Sequence, residues 1–511
     1  MERRPWHPVS LLVALLLGLT IRGAARAEEA KQPEASDFEL YQIFADTLDQ
    51  IERNYVKDVS RRELMEAAID GVLEKLDPYS NYISPDDIGR FKSNVEHQFG
   101  GIGIQIGIEN GQLKVISPLL GTPAYRARLE SGDAILEIDG KSTEGIQIDQ
   151  AVKQLKGEAG SKVTLTIRHA GSRAKENVTI TREVVHVDTV LGDSRKKDDS
   201  WDFMLDHDKH IGYIRITAFS RGTAAEMRKA LEELQAEGLK GLIVDLRFNP
   251  GGLLSSAIEV TDLFLPKGRI VSTQGRNTPE RSWDAHEDGT FVGFPMVVLV
   301  NHYSASASEI FSAALQDHNR AVVIGERTWG KGSVQNVIEL EGGRSALKLT
   351  TAGYHRPSGK NIHRFPNASE DDEWGVMPND GYEVELNGSQ TAQLIEYRRK
   401  RDILVGKHQR ALAAKEESES DDEDEAKPAE SGDEKPEAEA AKETGSDAAG
   451  ESESDDSAAD EKTPGDEEPA EKEPVLEEES SDRDEGERPE FVDLQLQKAV
   501  DYLTTELAKA E

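Results

Sequence analysis

The 511-residue chain contains no cysteine. That absence removes disulfide cross-links, a thiolate metal site and a thiol nucleophile together. Positive charge is also in short supply: 61 lysines and arginines stand against 98 aspartates and glutamates, a formal net charge of −37. No stretch gathers its bases into a patch suited to nucleic acid, so no nucleic-acid partner is expected. Long apolar runs are scarce. The most apolar stretch, residues 9–21 within MERRPWHPVSLLVALLLGLTIRGAARA, falls short of the roughly 20 residues that span a bilayer. With two arginines before it and Ala25-Arg26-Ala27 after it, it reads as a secretory signal over 1–27, cleaved after Ala27; an uncleaved membrane anchor is the alternative. The expectation is export to the periplasm or the extracellular space. No fixed-period repeat and no Gly-x-Ser-x-Gly nucleophile elbow is found.

The acidity is concentrated. Residues 415–490 hold 34 acids against 8 bases and almost no large apolar side chains, too few to offset the entropy of ordering, so this tract is expected to be disordered and to serve as a solvated spacer. It separates a charged, helix-prone linker at 387–414 from a final amphipathic helix at 491–511, FVDLQLQKAVDYLTTEL, suited to docking back on the core.

Between these ends the pattern changes twice. Residues 36–96 read helical, with Leu40, Ile43, Phe44, Leu48 and Ile51 at spacings of three and four and a second such pattern in RRELMEAAIDGVLEKL, before DPYSNYISPDD breaks the run. Residues 97–182 read as a small β-rich module: GGIGIQIGI, QLKVISPL, AILEIDG, KVTLTIR and NVTITR, with helices at TPAYRARLE and IQIDQAVKQLK. From 183 to 386 strands such as HIGYIRI, GLIVDLR, PMVVLV and AVVIG alternate with helices, the signature of an α/β core with nearly continuous apolar strands.

Candidate chemistry lies at SASASEIF, where Ser304, Ser306 and Ser308 sit between an apolar strand and a helix. A hydroxyl there lies near unpaired backbone N–H groups and the positive end of a helix dipole, although a plain helix cap uses the same residues. A serine nucleophile needs a base, and the choices are His302, His318 or Lys331, the last between Gly330 and Gly332 in GERTWGKGSVQ. Burial would leave a lysine neutral enough to accept a proton. The turn Asn249-Pro250-Gly251-Gly252 after GLIVDLR offers N–H groups for an oxyanion, and equally an ordinary tight turn.

In order along the chain, LDPYSNYISPDD, GGIGIQIG, ESGDAILEIDG, HIGYIRITAF, LIVDLRFNPGG, NHYSASASEI, GERTWGKGSVQ and YHRPSGKNI resemble the carboxyl-terminal processing peptidases, or tail-specific proteases, of the S41 serine peptidases. The resemblance covers about residues 36–385, and DLQLQKAVDYL resembles the usual C-terminal helix. It implies an α/β core of the crotonase/ClpP-like kind with an embedded PDZ domain and a helical N-terminal region. Carried onto this sequence, it implies Ser306 as nucleophile, Lys331 as general base, Gln335 as the residue orienting that base, and Gly251, Gly252 and Ala307 as the oxyanion hole. Ser304 and Ser308 then become scaffold. Neither metal nor other cofactor is implied.

The resemblance further implies that Gly100, Gly101, Ile102, Gly103 and Ile104 capture the C-terminal tail of a protein or peptide substrate, one ending in nonpolar residues, with Arg168 coupling the PDZ domain to the active site. It leaves open a homodimer and an adaptor or activator protein. Two departures stand out: Ala127-Arg128-Leu129 replaces the usual Ala-Gly-Leu, and the acidic tract precedes the last helix. Two rivals also remain, a PDZ scaffold with an inactive site and a Ser/His/Asp peptidase using His302 or His318.

Overall fold

The computed structural model describes residues 36–404, 406 and 491–510. The expected signal over 1–27 and the acidic tract over 415–490 lie outside the described residues, as does most of the linker beyond 404.

The α/β alternation builds a six-stranded sheet. Four strands run parallel, in spatial order Ile211–Ile216, Gly241–Asp245, Met296–Val300 and Val322–Gly325. Val190–Leu191 and Met204–Asp206 pair antiparallel with the first of them. Every residue of the three strands Ile211–Ile216, Gly241–Asp245 and Met296–Val300 is buried, which explains their unbroken apolar sequences: both faces are covered. Helices Thr223–Ala236, Leu254–Asp262 and Ala307–Asp317 cover one face, through Met227, Leu231, Val260, Ile310 and Phe311. The other face is covered by the C-terminal helix Leu494–Ala510, whose Ala499 and Leu503 pack on Ile211, Ile243, Val297 and Ile324. The amphipathic tail therefore completes the core.

A second sheet of five strands stands beside the first. Its long strand Ser345–His355 pairs with Asn81–Ile83, Gly268–Gln274 and Ser333–Leu340, and Arg281–Ala285 extends the edge. The N-terminal helices Asp37–Asn54 and Arg61–Glu74 thus reach the core through the short strand Asn81–Ile83.

The β-rich module is a separate sheet with its own apolar core, in which Ile102, Leu113, Val115, Ile135, Leu165 and Ile167 meet. Its entry and exit are tied by Gln98–Gly101 pairing with Glu183–His186. The helix expected at TPAYRARLE is only one turn, Pro123–Arg126. It stops because Arg128 takes a left-handed backbone, φ +61°, which cannot continue a right-handed helix. The helix-prone linker forms Gly388–Asp402 and then meets the module: Leu404 is buried and its N–H donates to Ser117 Oγ at 3.0 Å.

Candidate active site

The strand Met296–Val300 ends in a turn that delivers Ser306 to the start of the helix Ala307–Asp317. The flanking serines hold that turn. Ser304 Oγ donates to the Leu246 carbonyl at 2.8 Å and accepts the Asn301 N–H at 3.0 Å, and Ser308 Oγ donates to the Asn249 carbonyl at 2.9 Å. Both therefore fasten the serine turn to the turn that follows the neighbouring strand. Ser306 itself has φ +57° and ψ −111°, outside the basins open to a residue with a side chain, a strain of about 1–3 kcal/mol that only an over-determined surrounding sustains. Close packing leaves it 7 % exposed.

The glycine turn lies against it. A Cβ on Gly251 would fall 2.8 Å from Ser306 Cβ and 2.9 Å from Ala307 N, and one on Gly252 would strike the Phe219 carbonyl at 2.1 Å. With φ +101° and +146°, neither position takes another residue. The N–H of Gly251, expected in the oxyanion hole, donates to Asn249 Oδ1 at 2.8 Å. The N–H groups of Gly252 and Ala307 donate to nothing among the described residues.

The lysine loop is joined to the serine turn by a buried carboxylate. Glu309 is fully buried, and its Oε2 accepts both the Ser306 N–H and the Lys331 N–H, each at 2.8 Å. Its Oε1 accepts the Gly330 N–H at 2.7 Å and Thr328 Oγ1 at 2.6 Å. One side chain thus clamps the backbone of both candidate catalytic residues. Burial pushes its carboxyl up to about 7 against the pull of these donors. Gly330 and Gly332 are required by packing: a Cβ on the first would meet Arg364 Cβ at 2.7 Å, and one on the second the His363 N at 2.3 Å. Lys331 is half-buried, and burial lowers its pKa, helped by the nearby charge of Lys348 and opposed by Glu309. The phenol of Tyr354 is pushed up to about 12, mainly by burial, with the neighbouring Ser306 side chain pulling the other way.

The other candidates are engaged elsewhere. His302 is half exposed and pairs its Nδ1 with Glu326 Oε2 at 2.8 Å. His318 ends the helix Ala307–Asp317 at the far side from Ser306 and binds the Arg269 carbonyl through Nε2 at 2.7 Å. Gln335 directs its amide to Ser333 Oγ at 2.8 Å and Thr350 Oγ1 at 3.3 Å, bonds that hold it on the second sheet beside the lysine loop. Glu309 and Tyr354 escaped the sequence reading. Glu309 had a signal, the Ser-x-x-Glu spacing that marks a helix start; Tyr354, distant in sequence, had none.

Behind the glycine turn lies a buried ionic cluster. Arg247 Nη2 meets Asp245 Oδ2 at 2.6 Å and Asp493 Oδ2 at 2.8 Å, Arg398 pairs with Asp245, and the Tyr213 hydroxyl donates to Asp245 Oδ2 at 2.8 Å. Burial alone would raise the Asp245 carboxyl, but Arg247 and Arg398 hold it far below the usual range. The linker helix and the C-terminal helix are therefore both wired to the residue pair that opens the Asn249–Gly252 turn.

Comparison with known proteins identifies this arrangement. The family description "Peptidase family S41" matches residues 210–371, "PDZ domain" matches 90–168, and "Activating protease CtpB N-terminal domain" matches 20–86. A "Carboxy-terminal-processing protease" of Bartonella bacilliformis is 40 % identical over 334 residues, covering 64 % of this chain and 74 % of the relative. The chain belongs to peptidase family S41. It is a serine protease of the carboxy-terminal processing type. Relatives from Synechocystis sp., at 35 % identity over 70 % of this chain and 81 % of the relative, and Bacillus subtilis, at 34 % over 70 % and 73 %, carry the same description.

The PDZ domain presents its strand Ile104–Glu109 as the sheet edge, next to the helix Ile148–Leu155. Ile102, expected to line the tail pocket, is 2 % exposed and belongs to the domain core, whereas Ile104 packs at its margin. Gly100 is pressed against the Gly157 carbonyl, and Gly103, φ +78°, against Thr122. Arg168 donates to Gln112 Oε1 at 3.1 Å and lines a cleft shared with Arg399 and Ile403 of the peptidase linker helix and the residues just after it.

Proposed function

We propose that the protein is an exported endopeptidase that captures the C-terminal tail of a protein substrate on its PDZ domain and cleaves with a Ser306/Lys331 dyad. The observation that carries this reading is the shared acceptor: a single buried oxygen of Glu309 holds the backbone of both residues, and the serine it holds is strained at a strand-to-helix turn. In this reading Ser306 Oγ attacks the scissile carbonyl carbon while Lys331 Nζ takes its proton. The oxyanion is received by the N–H groups of Gly252 and Ala307, with Gly251 supplying the close approach. Lys331 then returns the proton to the departing amine, and water, activated by the same amine, releases the acyl group. Gln335 and Thr350 set the wall beside the lysine.

The strand Ile104–Glu109 receives the tail as an added strand, with backbone N–H groups of the stretch 100–104 (Gly100, Gly101, Ile102, Gly103, Ile104) taking its carboxylate and Ile104 favouring nonpolar ends. Arg168 faces the linker helix whose Arg398 meets Asp245, so tail binding has a route to the oxyanion turn through that helix. The parallel sheet with helices on both faces supports the crotonase/ClpP-like assignment. Phe38, Tyr41 and Ile43 on the helix Asp37–Asn54 are exposed and fit a homodimer contact. An adaptor or activator and a periplasmic or extracellular location complete the reading. The experiment is a tail-dependence assay: a reporter ending in nonpolar residues should be cut, its amidated form cut far more slowly, and equal rates would remove the PDZ domain from recognition.

A further inference from the structure

The dyad reading leaves unexplained what holds the far end of the lysine. Lys331 forms no salt bridge among the described residues, yet its Nζ stands 5.0 Å from the centre of the Tyr79 ring. Tyr79 comes from the turn between the helix Arg61–Glu74 and the strand Asn81–Ile83, more than 200 residues earlier in the chain.

That turn is built to fix a ring. Asp77 Oδ1 accepts the N–H groups of Tyr79 at 2.8 Å and Ser80 at 2.9 Å, and the Thr350 hydroxyl at 3.1 Å; Oδ2 accepts the Ser80 hydroxyl at 2.8 Å. Ser80 Oγ in turn accepts the Thr350 N–H at 3.0 Å, fastening the turn to the strand Ser345–His355. The ring is bounded on a second side by the edge of His363, centroids 6.4 Å apart, and its hydroxyl accepts Trp329 Nε1 at 3.5 Å. Thr350 also receives the Gln335 amide, so one turn reaches both the lysine and the glutamine.

We propose that Tyr79 is a positioning residue for Lys331, its ring face seating the amine and stabilising the amine once it has taken the proton of Ser306. The inference rests on Lys331 being the base. An aromatic face attracts an ammonium and not a neutral amine. It therefore strengthens the base, in opposition to burial and to the repulsion from Lys348 on the strand Ser345–His355. The other ionisable groups about the pair are Glu309, from the helix Ala307–Asp317, which favours the ammonium, and Asp77 and His363 beside the ring.

The test replaces the face while keeping a dry, apolar contact. Tyr79→Leu should lower the pH midpoint of the acid limb of kcat/KM by about 0.4–1.5 units. Tyr79→Phe, which keeps the face and loses only the hydroxyl, should leave that midpoint in place. Because Glu309, pushed up to about 7, can also shape a pH profile, the amine is also read directly: the pH dependence of Lys331 acylation by a small acyl donor, followed by peptide mass spectrometry in Ser306→Ala, should shift by the same amount. A trifluorinated phenylalanine at position 79 keeps the shape and weakens the face, and covers the case in which the leucine variant does not fold; it should shift in the same direction. Unmoved midpoints in a folded leucine or fluorinated variant would overturn the proposal. Undiminished activity in Lys331→Ala would instead overturn the dyad, while the acylation profile would still report whether Tyr79 acts on the amine.

Discussion

Ser306 and Glu309 divide the work at the residue scale. The serine carries strained backbone, and the carboxylate three residues later supplies the acceptor that sustains it. Glu309→Gln keeps the size but presents an amide where up to four donors converge, leaving buried N–H groups without acceptors. The expectation is a loss of about 2–4 kcal/mol in stability and at least a tenfold loss in kcat, measured by denaturant melts and peptide cleavage. A full-activity glutamine variant would deny the clamp its role. Arg128 gives the converse case. It is exposed and holds φ +61°, a conformation that favours glycine, so its side chain contributes strain and few contacts. Arg128→Gly should raise the stability of the PDZ domain by up to about 1 kcal/mol, visible as a higher Tm, with peptidase chemistry unchanged.

At the scale of elements, strands and helices were legible in the sequence wherever burial imposed a period. HIGYIRI, GLIVDLR and PMVVLV could be read as doubly covered strands because every side chain in them is apolar or locked in a cluster, and they are. The candidate nucleophile was visible at a strand-to-helix boundary for the same reason. What the sequence hid was pairing across distance: Tyr79 on Lys331, Asp493 on Arg247, and Tyr354 on Ser306 join segments that no local pattern relates. The overlong helix expected at TPAYRARLE failed differently, because a single φ at Arg128 ends it and apolar spacing carries no information about φ. The bond from the Gly251 N–H to the Asn249 side chain could not be foreseen from the turn sequence either.

Taken whole, the molecule is closed by its last helix. Asp493 meets an Arg247 side chain that is 1 % exposed, and Ala499 and Leu503 cover the sheet face opposite the helix Ala307–Asp317. Asp493→Ala would leave that guanidinium short of a partner beside the glycine turn. It should cost about 3–5 kcal/mol and depress kcat along with stability, as measured by thermal melts and turnover. An unchanged Tm would show that the helix merely rests on the core. The proposed Ser306/Lys331 dyad is tested most directly by following an unfolded reporter with a nonpolar tail by mass spectrometry, using the full chain, Ser306→Ala and Lys331→Ala. Cleavage by the parent and by neither variant is the predicted result; cleavage by Lys331→Ala at the parental rate would contradict it.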